Sequence, residues 1–301
     1  MKILYVDEAC DICGSKQAIE IKNIKKYTNG VPIHICNGCS LVAYRKRATP
    51  EEMAKFWEEI GFKDSYKPEA NPEVRSRHFF GTEFIKKYIG YESKLILDIG
   101  AGEGQFLEII KNEGGNVFGI ESSGHNCELL KKRGIPYFHG TVEAFDEKEF
   151  ADVATIVFTL QNSQSATKMI MSARDLLKNE GHIMIEMGSR IMVPFKKPMG
   201  TYFSTHSQNY QPYHFSISTI QRLLAKCGFV IKQTNNYWDD NLMCVIAKKV
   251  NLEEEINLIT EKPEDVFAWF ERWDIESNLM KKYVKFTDTE FSFFKHHTFY
   301  K

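Results

Sequence analysis

Three glycines at alternate positions follow an acidic residue that ends an apolar run. Residues 95–97 lead into Asp98, and the glycines are Gly100, Gly102 and Gly104. A continuous Leu/Ile run is typical of a buried parallel strand, and apolar residues at helical spacing follow the last glycine. Glycine lets the backbone approach a bound group that any Cβ would push away. The stretch therefore predicts a strand, a tight ligand-binding loop and a helix.

A second acid, further along the chain, narrows the chemistry of the ligand. Glu121 ends the apolar run 117–120, and an acid at the end of the second strand of such a unit can accept both hydroxyls of a ribose. The dinucleotide fingerprint G-x-G-x-x-G/A requires Gly or Ala at position 105, where this chain has Gln105. The pattern therefore favours a nucleoside-containing ligand other than a dinucleotide.

Four of the seven cysteines form two Cys-x-x-Cys hooks, Cys10/Cys13 and Cys36/Cys39. Two such hooks supply four thiolates in a tetrahedron, and an all-cysteine zinc site is structural because no coordination position remains for water or substrate. A redox dithiol pair is the alternative. The other three cysteines have apolar neighbours and are predicted to be core residues.

Composition and charge limit the partners. The chain has 301 residues, of which 43% are hydrophobic and 26% charged, and its formal net charge is -1. These are globular values, and the near-neutral balance gives no general attraction for nucleic acid or an anionic membrane. Because no run of about 18 apolar residues occurs, we expect a cytoplasmic protein without a membrane span.

The pattern along the chain predicts four parts. A zinc ribbon is expected over residues 1–48, in which the metal replaces a core. A helix that begins after Thr49 and a linker occupy 49–75, and the ligand-binding domain follows over 76–250.

The last predicted part is a helical extension over 251–301. Two helices are expected, over 252–259 and 263–283, and the aromatic tail at 291–297 is expected to dock on the main domain or on a second subunit. A lid over the acceptor pocket is the alternative role for this tail.

The motif apolar-apolar-Asp-apolar-Gly-x-Gly-x-Gly resembles the first motif of class I S-adenosylmethionine (SAM) methyltransferases. Together with the cysteine hooks and the Thr-Pro-Glu-Glu segment at 49–52, it is similar to zinc-bearing SAM methyltransferases of sugar and surface-glycan biosynthesis. The resemblance implies an α/β fold with a Rossmann-like seven-stranded class I methyltransferase sheet, an N-terminal zinc ribbon and a helical C-terminal extension.

The same resemblance implies cofactors, acceptor and site. The cofactors would be S-adenosyl-L-methionine and structural Zn²⁺, and the acceptor a small molecule, most simply a nucleotide sugar or glycan precursor. The residues that it places around SAM are Asp98, Gly100, Gly102, Gly104, Glu121, Val142 and Thr159. An acid often stands in relatives where this chain has Thr141.

The proton acceptor is predicted in the long loop over residues 188–217. Histidine accepts a proton near neutral pH, so His214 ranks first and His206 second, followed by Tyr210. His214 directly precedes a Phe-Ser pair that matches the acceptor side of sugar methyltransferases. The acid-base pairs of relatives are absent, since this chain has Gln161-Asn162 and Tyr210-Gln211 at those places.

Two other functions stay open on the sequence. An RNA methyltransferase would use the ribbon to grip nucleic acid, although the chain lacks a dense Lys/Arg run. A SAM-binding regulatory or assembly factor without catalysis would explain the missing acid-base pairs. A homo-oligomer formed through the C-terminal extension is also compatible with the aromatic tail.

Overall fold

A computed structural model describes residues 1–47, 49, 52–53, 55–56, 72–194, 198–205, 211–235, 242–252 and 256–283. Its strands are β1 (Ile3–Tyr5), β2 (Gln17–Glu20), β3 (His34–Cys36), β4 (Val42–Ala43), β5 (Leu95–Ile99), β6 (Asn116–Glu121), β7 (Tyr137–His139), β8 (Ala151–Val157), β9 (Leu177–Met187), β10 (Tyr213–His214), β11 (Phe229–Thr234) and β12 (Met243–Lys249). Its α-helices are α1 (Pro72–Tyr88), α2 (Gln105–Asn112), α3 (Gly124–Lys132), α4 (Ala166–Leu176), α5 (Met199–Thr205), α6 (Ile217–Lys226) and α7 (Pro263–Tyr283).

The larger sheet has seven strands in the order β11-β12-β9-β8-β5-β6-β7. The five strands from β9 to β7 are parallel, whereas β12 is antiparallel to both of its neighbours. Helices cover both faces, which is why the central strands are continuous apolar runs. The predicted α/β class, the seven strands and the antiparallel closing hairpin are confirmed.

Local capping explains where several helices begin. Ser123 and Ser165 accept hydrogen bonds from backbone N–H groups in the first turns of α3 and α4. Ser216 and Thr219 form a reciprocal capping box at the start of α6. Thr49 and Glu52 make the same reciprocal pair of bonds in the segment before α1. Short polar side chains of this kind are typical helix-start signals.

The smaller sheet contains the ribbon strands and one strand from a distant part of the chain. Its order is β1-β2-β3-β4-β10, and β10 pairs with β4 through Tyr213 opposite Ala43 and His214 opposite Val42. The segment 188–217, which was predicted to be one long loop, contains α5 and β10, so that prediction was wrong. The ribbon is extended by a strand that follows the end of β9.

The first cysteine hook is docked on the larger sheet's helices. The Asp11 carboxylate accepts hydrogen bonds from Ser165 Oγ at 2.6 Å and from the Thr167 backbone N–H at 2.8 Å. Lys226 Nζ donates to the Ile12 carbonyl oxygen at 2.6 Å. The hook thus supplies a side-chain cap to the start of α4 and is fixed to the end of α6.

Helix α7 covers the inner face of the ribbon sheet. Its buried apolar residues Val266, Trp269, Phe270 and Trp273 belong to one core cluster with Ile19, Ile33, Ile35 and Val42 of the ribbon. Asp274 accepts hydrogen bonds from Lys26 and Tyr27. The ribbon therefore gains apolar burial from the C-terminal extension, which a short metal-bound segment lacks by itself.

The first predicted C-terminal helix was wrong. Residues 251–252 and 256–262 are not helical. Gln221 of α6 donates to the Asn257 carbonyl oxygen and accepts from the Ile259 N–H, and Ser216 donates to the Glu261 carboxylate at 2.6 Å. Backbone groups that a helix would use internally are here bonded to α6. The second predicted helix is confirmed as α7, and the predicted tail at 291–297 lies outside the described residues.

The division at residues 48, 75 and 250 stays a prediction. Within the described ranges, no helix is both long and apolar enough to cross a bilayer.

Candidate cofactor and metal sites

The glycine loop lies at the carboxyl end of β5, where it turns into α2. Gly100, Gly102 and Gly104 have φ values of 76°, 55° and 83°, a region that other residues rarely adopt. A Cβ on Gly100 would approach Thr159 Cγ2 to 2.5 Å, and one on Gly104 would approach Leu130 Cδ2 to 2.5 Å. Both the backbone conformation and the close packing therefore require glycine, and the loop stays open on the side away from those contacts.

Glu121 ends β6 and its carboxylate is bound to the glycine loop. One oxygen accepts from the Gly102 N–H and the other from the Ser123 N–H, each at 2.7 Å. Burial raises the pKa of Glu121, and these backbone bonds oppose that rise. The carboxylate stands beside the loop with lone pairs left for ribose hydroxyls, since each oxygen can accept more than one bond.

Asp98 lies beneath the loop and is almost fully buried. Thr155 of β8 donates its hydroxyl to Asp98 Oδ1 at 2.7 Å, and burial raises the pKa of Asp98 to about 7. Thr159 follows β8 and donates to the Val157 carbonyl oxygen at 3.1 Å. The ends of β5, β6 and β8 thus converge on one cleft, as expected for parallel strands.

Val142 begins a short 3₁₀ turn after β7 and is buried. Thr141 before it is exposed. The loop, Glu121, Thr159 and this turn lie along one edge of the sheet. The fold therefore brings the predicted cofactor residues to a common edge, while their contacts with SAM stay a prediction.

The end of β8 has a backbone feature that the sequence did not reveal. Phe158 has a φ of 53°, which is costly for a bulky residue. The side-chain amides of Gln161 and Asn162 both donate to the Phe158 carbonyl oxygen, and the Phe158 N–H donates to the backbone carbonyl oxygen of Glu186. Gln161 and Asn162 therefore hold a strained turn at the end of β8.

Glu186 is a second residue at this edge of the sheet to which the sequence assigned no role. It is the next-to-last residue of β9, and its side chain is completely buried. Burial raises the pKa of this carboxyl to about 8. The signal that could have identified it is its position, since Glu186 is an acidic residue inside the otherwise apolar run 183–187.

His214 is enclosed where the ribbon meets the larger sheet. Its ring is fully buried, and Nδ1 lies 2.8 Å from the Tyr202 hydroxyl. The rings of Tyr44 and Phe203 have centroids 6.2 Å and 5.6 Å from that of His214. The adjacent Phe215 N–H donates to the Ser189 carbonyl oxygen, so His214 lies close to the carboxyl end of β9. Its role as a base stays a prediction.

The two other predicted catalytic residues, His206 and Tyr210, lie outside the described residues. No position is assigned to them.

The four hook cysteines come together as a metal-binding geometry. The Sγ atoms of Cys10, Cys13, Cys36 and Cys39 all lie within 4.8 Å of one another. The Cys10–Cys39 and Cys13–Cys36 pairs are 3.5 Å and 3.4 Å apart, and all seven cysteines of the chain are free thiols. A tetrahedral Zn–S distance of about 2.3 Å implies Sγ separations of about 3.8 Å, so the donor set fits Zn²⁺.

Comparison with known proteins decides the family. Residues 74–234 match the family described as methyltransferase domain, which is more than half of the chain. The chain belongs to the methyltransferase-domain family. Residues 74–234 therefore form a methyltransferase domain, and SAM is the cofactor predicted for its glycine loop.

A curated relative of this methyltransferase is the ubiquinone biosynthesis O-methyltransferase of Vibrio cholerae, 26% identical over 184 residues. The match covers 58% of this chain and 64% of that relative's length. The resemblance to sugar and surface-glycan enzymes, expected from the motifs, finds no support in this comparison.

Solved structures share the fold. The 1,6-didemethyltoxoflavin-N1-methyltransferase of Burkholderia thailandensis, with bound S-adenosylhomocysteine, is similar with a TM-score of 0.53 and 16% identity, over 70% of this chain and 96% of that one. The magnesium protoporphyrin IX methyltransferase of Synechocystis, also with bound S-adenosylhomocysteine, is similar with a TM-score of 0.51 and 14% identity. This match covers 67% of this chain and 100% of that one.

Proposed function

We propose that this methyltransferase transfers the methyl group of SAM to a hydroxyl oxygen of a small-molecule acceptor. When bound, SAM supplies an electrophilic methyl group on a sulfonium. The acceptor oxygen forms the new bond to that carbon, the bond to sulfur breaks with its electron pair on sulfur, and the hydroxyl proton goes to a base or to water. The chain must therefore hold SAM, orient the hydroxyl and accept a proton.

The observation that carries the proposal is the buried polar cluster at the ribbon contact, formed by His214, Tyr202 and Tyr44. The Tyr44 hydroxyl is buried and has no hydrogen-bond partner among the described residues, which is a cost unless a ligand supplies one. The rings of Phe203 and Trp273 make edge contacts with the ring of Tyr202. Aromatic walls with a few hydroxyl and imidazole groups suit a small organic acceptor, and the curated relatives are O-methyltransferases by name.

The ribbon's basic residues argue against RNA as the acceptor. Lys25 is paired with Glu20 at 2.7 Å and Lys26 with Asp274 at 2.8 Å. Arg45 donates to the Ser15 carbonyl oxygen, and Arg47 contacts the Tyr213 hydroxyl. Because these cations are engaged within the protein, they offer little free positive surface to a phosphate backbone.

Zinc belongs to the same proposal. We infer that one Zn²⁺ is held by the four hook cysteines, and that it stabilises the fold and takes no part in methyl transfer, since a four-thiolate site is closed. The ribbon would then position Tyr44 and, through the β4–β10 pairing, His214. A homo-oligomer and a cytoplasmic location stay predictions.

An acceptor screen tests the function. Purified protein with SAM is expected to form S-adenosylhomocysteine (SAH) with small hydroxyl acceptors, measured as acceptor-dependent SAH release. The same assay is run with nucleotide sugars, amines and total RNA as the alternative acceptors. Turnover confined to RNA would overturn the small-molecule proposal, and tight SAM binding without turnover on any arm would favour the regulatory factor.

His214→Ala tests the proposed base. If His214 accepts the proton, turnover should fall about a hundredfold while SAH affinity stays within about twofold of the wild type, measured by calorimetry. His34→Ala is the matched control, because His34 is also buried in the ribbon sheet but lies on β3. If both variants lose turnover equally, His214 contributes only to packing and is not the proton acceptor.

A further inference from the structure

The Glu186 carboxylate differs from the other acids of the cleft in lacking partners. Both of its oxygens are buried and have no hydrogen-bond partner among the residues described. Asp98 by contrast accepts from Thr155, and Glu121 accepts two backbone N–H groups. Buried carboxylates are ordinarily paired, and each exception calls for an explanation.

Helix α1 is shaped around this carboxylate. Gly81 is the glycine within α1, and a Cβ at that position would overlap Glu186 Oε2. Glycine in a helix interior is unfavourable relative to alanine. The fold therefore accepts two local costs, an unpaired buried acid and a helical glycine, to keep this carboxylate between β9 and α1.

The position of Glu186 places it at the cofactor cleft. Its register partner on β8 is Val157, two residues before Thr159, whose hydroxyl lies 3.4 Å from the Gly100 carbonyl oxygen. Its neighbours Met184 and Cys244 pack in the same core cluster as Ile96 and Val153, so Glu186 faces the side of the sheet that α1 covers. Asp98 raises its pKa and Arg77 lowers it, so both charges are near.

A hydrogen-bond donor that carries positive charge would satisfy both unpartnered oxygens and offset the burial of the ionised carboxylate. Arg77 does not offset the burial of Glu186, because the net shift of the pKa is upward. In SAM the methionine portion carries an ammonium group with three N–H donors, whereas adenine and ribose are neutral and the methionine carboxylate would repel an ionised Glu186.

We propose that Glu186 binds the ammonium group of the methionine portion of SAM and thereby positions the methyl donor. The inference rests on SAM as cofactor and is independent of the acceptor. Glu186 would be a binding and positioning residue, and the proton that it holds in the cofactor-free protein would be released when the ammonium arrives.

Paired ligands test this contact. S-adenosylhomocysteine (SAH) contains the amino-acid end, whereas 5′-methylthioadenosine lacks it. Glu186→Gln should weaken SAH binding about tenfold to a hundredfold and leave 5′-methylthioadenosine affinity within about twofold, as measured by calorimetry. Equal effects on the two ligands would overturn the proposal, and a loss of turnover with unchanged SAH affinity would move Glu186 to the acceptor side and overturn it as well.

Proton release gives a second measurement that needs no variant. Between pH 6 and 7, free Glu186 is protonated, since its pKa is about 8, and the ligand's amine is also protonated. An ammonium lowers the pKa of a neighbouring acid, so SAH binding should release about one more proton than 5′-methylthioadenosine binding, and SAH affinity should rise up to about tenfold over this unit of pH.

Neighbouring groups set the controls for proton release. On α1 the neighbours are the Arg77 guanidinium and His78, whose pKa burial lowers to about 4, so that its imidazole stays neutral. On β12, burial raises the pKa of Cys244 well above its usual value. Asp98, with a pKa of about 7, could release a proton itself. Release that persists unchanged in Glu186→Gln would assign it to Asp98 and overturn the proposal, as would equal release with both ligands. Failure of the wild type to bind either ligand would instead contradict SAM binding itself.

Discussion

Replacing Cys36 by serine is expected to abolish metal binding and to unfold the ribbon. Cys36 is fully buried on β3, and its Sγ lies 3.4 Å from that of Cys13. A structural zinc site contributes on the order of 10 kcal/mol to the folding of a small metal domain. Because β4 pairs with β10 and α7 covers the ribbon, the loss should extend to the His214 cluster and abolish turnover. Elemental analysis and thermal melting measure the two effects.

Cys227→Ser is the matched control for this prediction. Cys227 is equally buried but lies outside the metal cluster, so this variant should retain one zinc per chain. If wild-type protein purified without chelators contains no metal, the zinc site is contradicted and the redox alternative applies to the two hooks. Retained zinc and unchanged melting in Cys36→Ser would contradict the assigned role of Cys36.

Replacing Glu121 by alanine is expected to weaken SAM binding by on the order of 1 to 3 kcal/mol, a factor of about 5 to 150. The carboxylate has one task that the structure shows, holding the Gly102 and Ser123 N–H groups, and one that is predicted, binding the ribose of SAM. Its removal leaves two backbone donors without their partner and deletes the acceptor predicted for the ribose hydroxyls. Calorimetric titration with SAH measures the loss.

Glu128→Ala serves as the control, because Glu128 is an exposed acid on the following helix α3. Its SAH affinity should equal that of the wild type. Glu121→Gln separates the two tasks, since an amide retains one acceptor oxygen and the size of the side chain. Unchanged SAH affinity in Glu121→Ala would remove Glu121 from the site.

The local patterns that the sequence predicted correctly have short-range causes. The apolar run and glycines around Asp98 specify a strand and a turn through backbone conformation alone, and Ser216 begins α6 through bonds within four residues. The cysteine hooks are likewise local, since each fixes two thiols on one turn. Their approach to within 4.8 Å then follows from the hairpin between them.

The predictions that the structure corrected depended on contacts between distant segments of the chain. The segment 256–262 has no helix because α6 supplies partners for its backbone, which no pattern within the segment shows. The strand β10 exists only because β4 is beside it. The sugar-type acceptor, for which the comparisons give no support, was expected from short motifs in the ribbon, before the glycine loop and at Phe215-Ser216, and such motifs do not specify the shape of an acceptor pocket.

The sequence by itself determined the fold class, the cofactor family and the four candidate zinc ligands of this protein, because each depends on residues that are close together in the chain. Only the tertiary structure decided that the ribbon shares a sheet with the strand of His214, and that Glu186 is an unpaired buried acid beneath α1. Both depend on segments more than a hundred residues apart, Val42 with His214 and Gly81 with Glu186. Contacts of that range arise from packing the whole chain and leave no periodic signal in it.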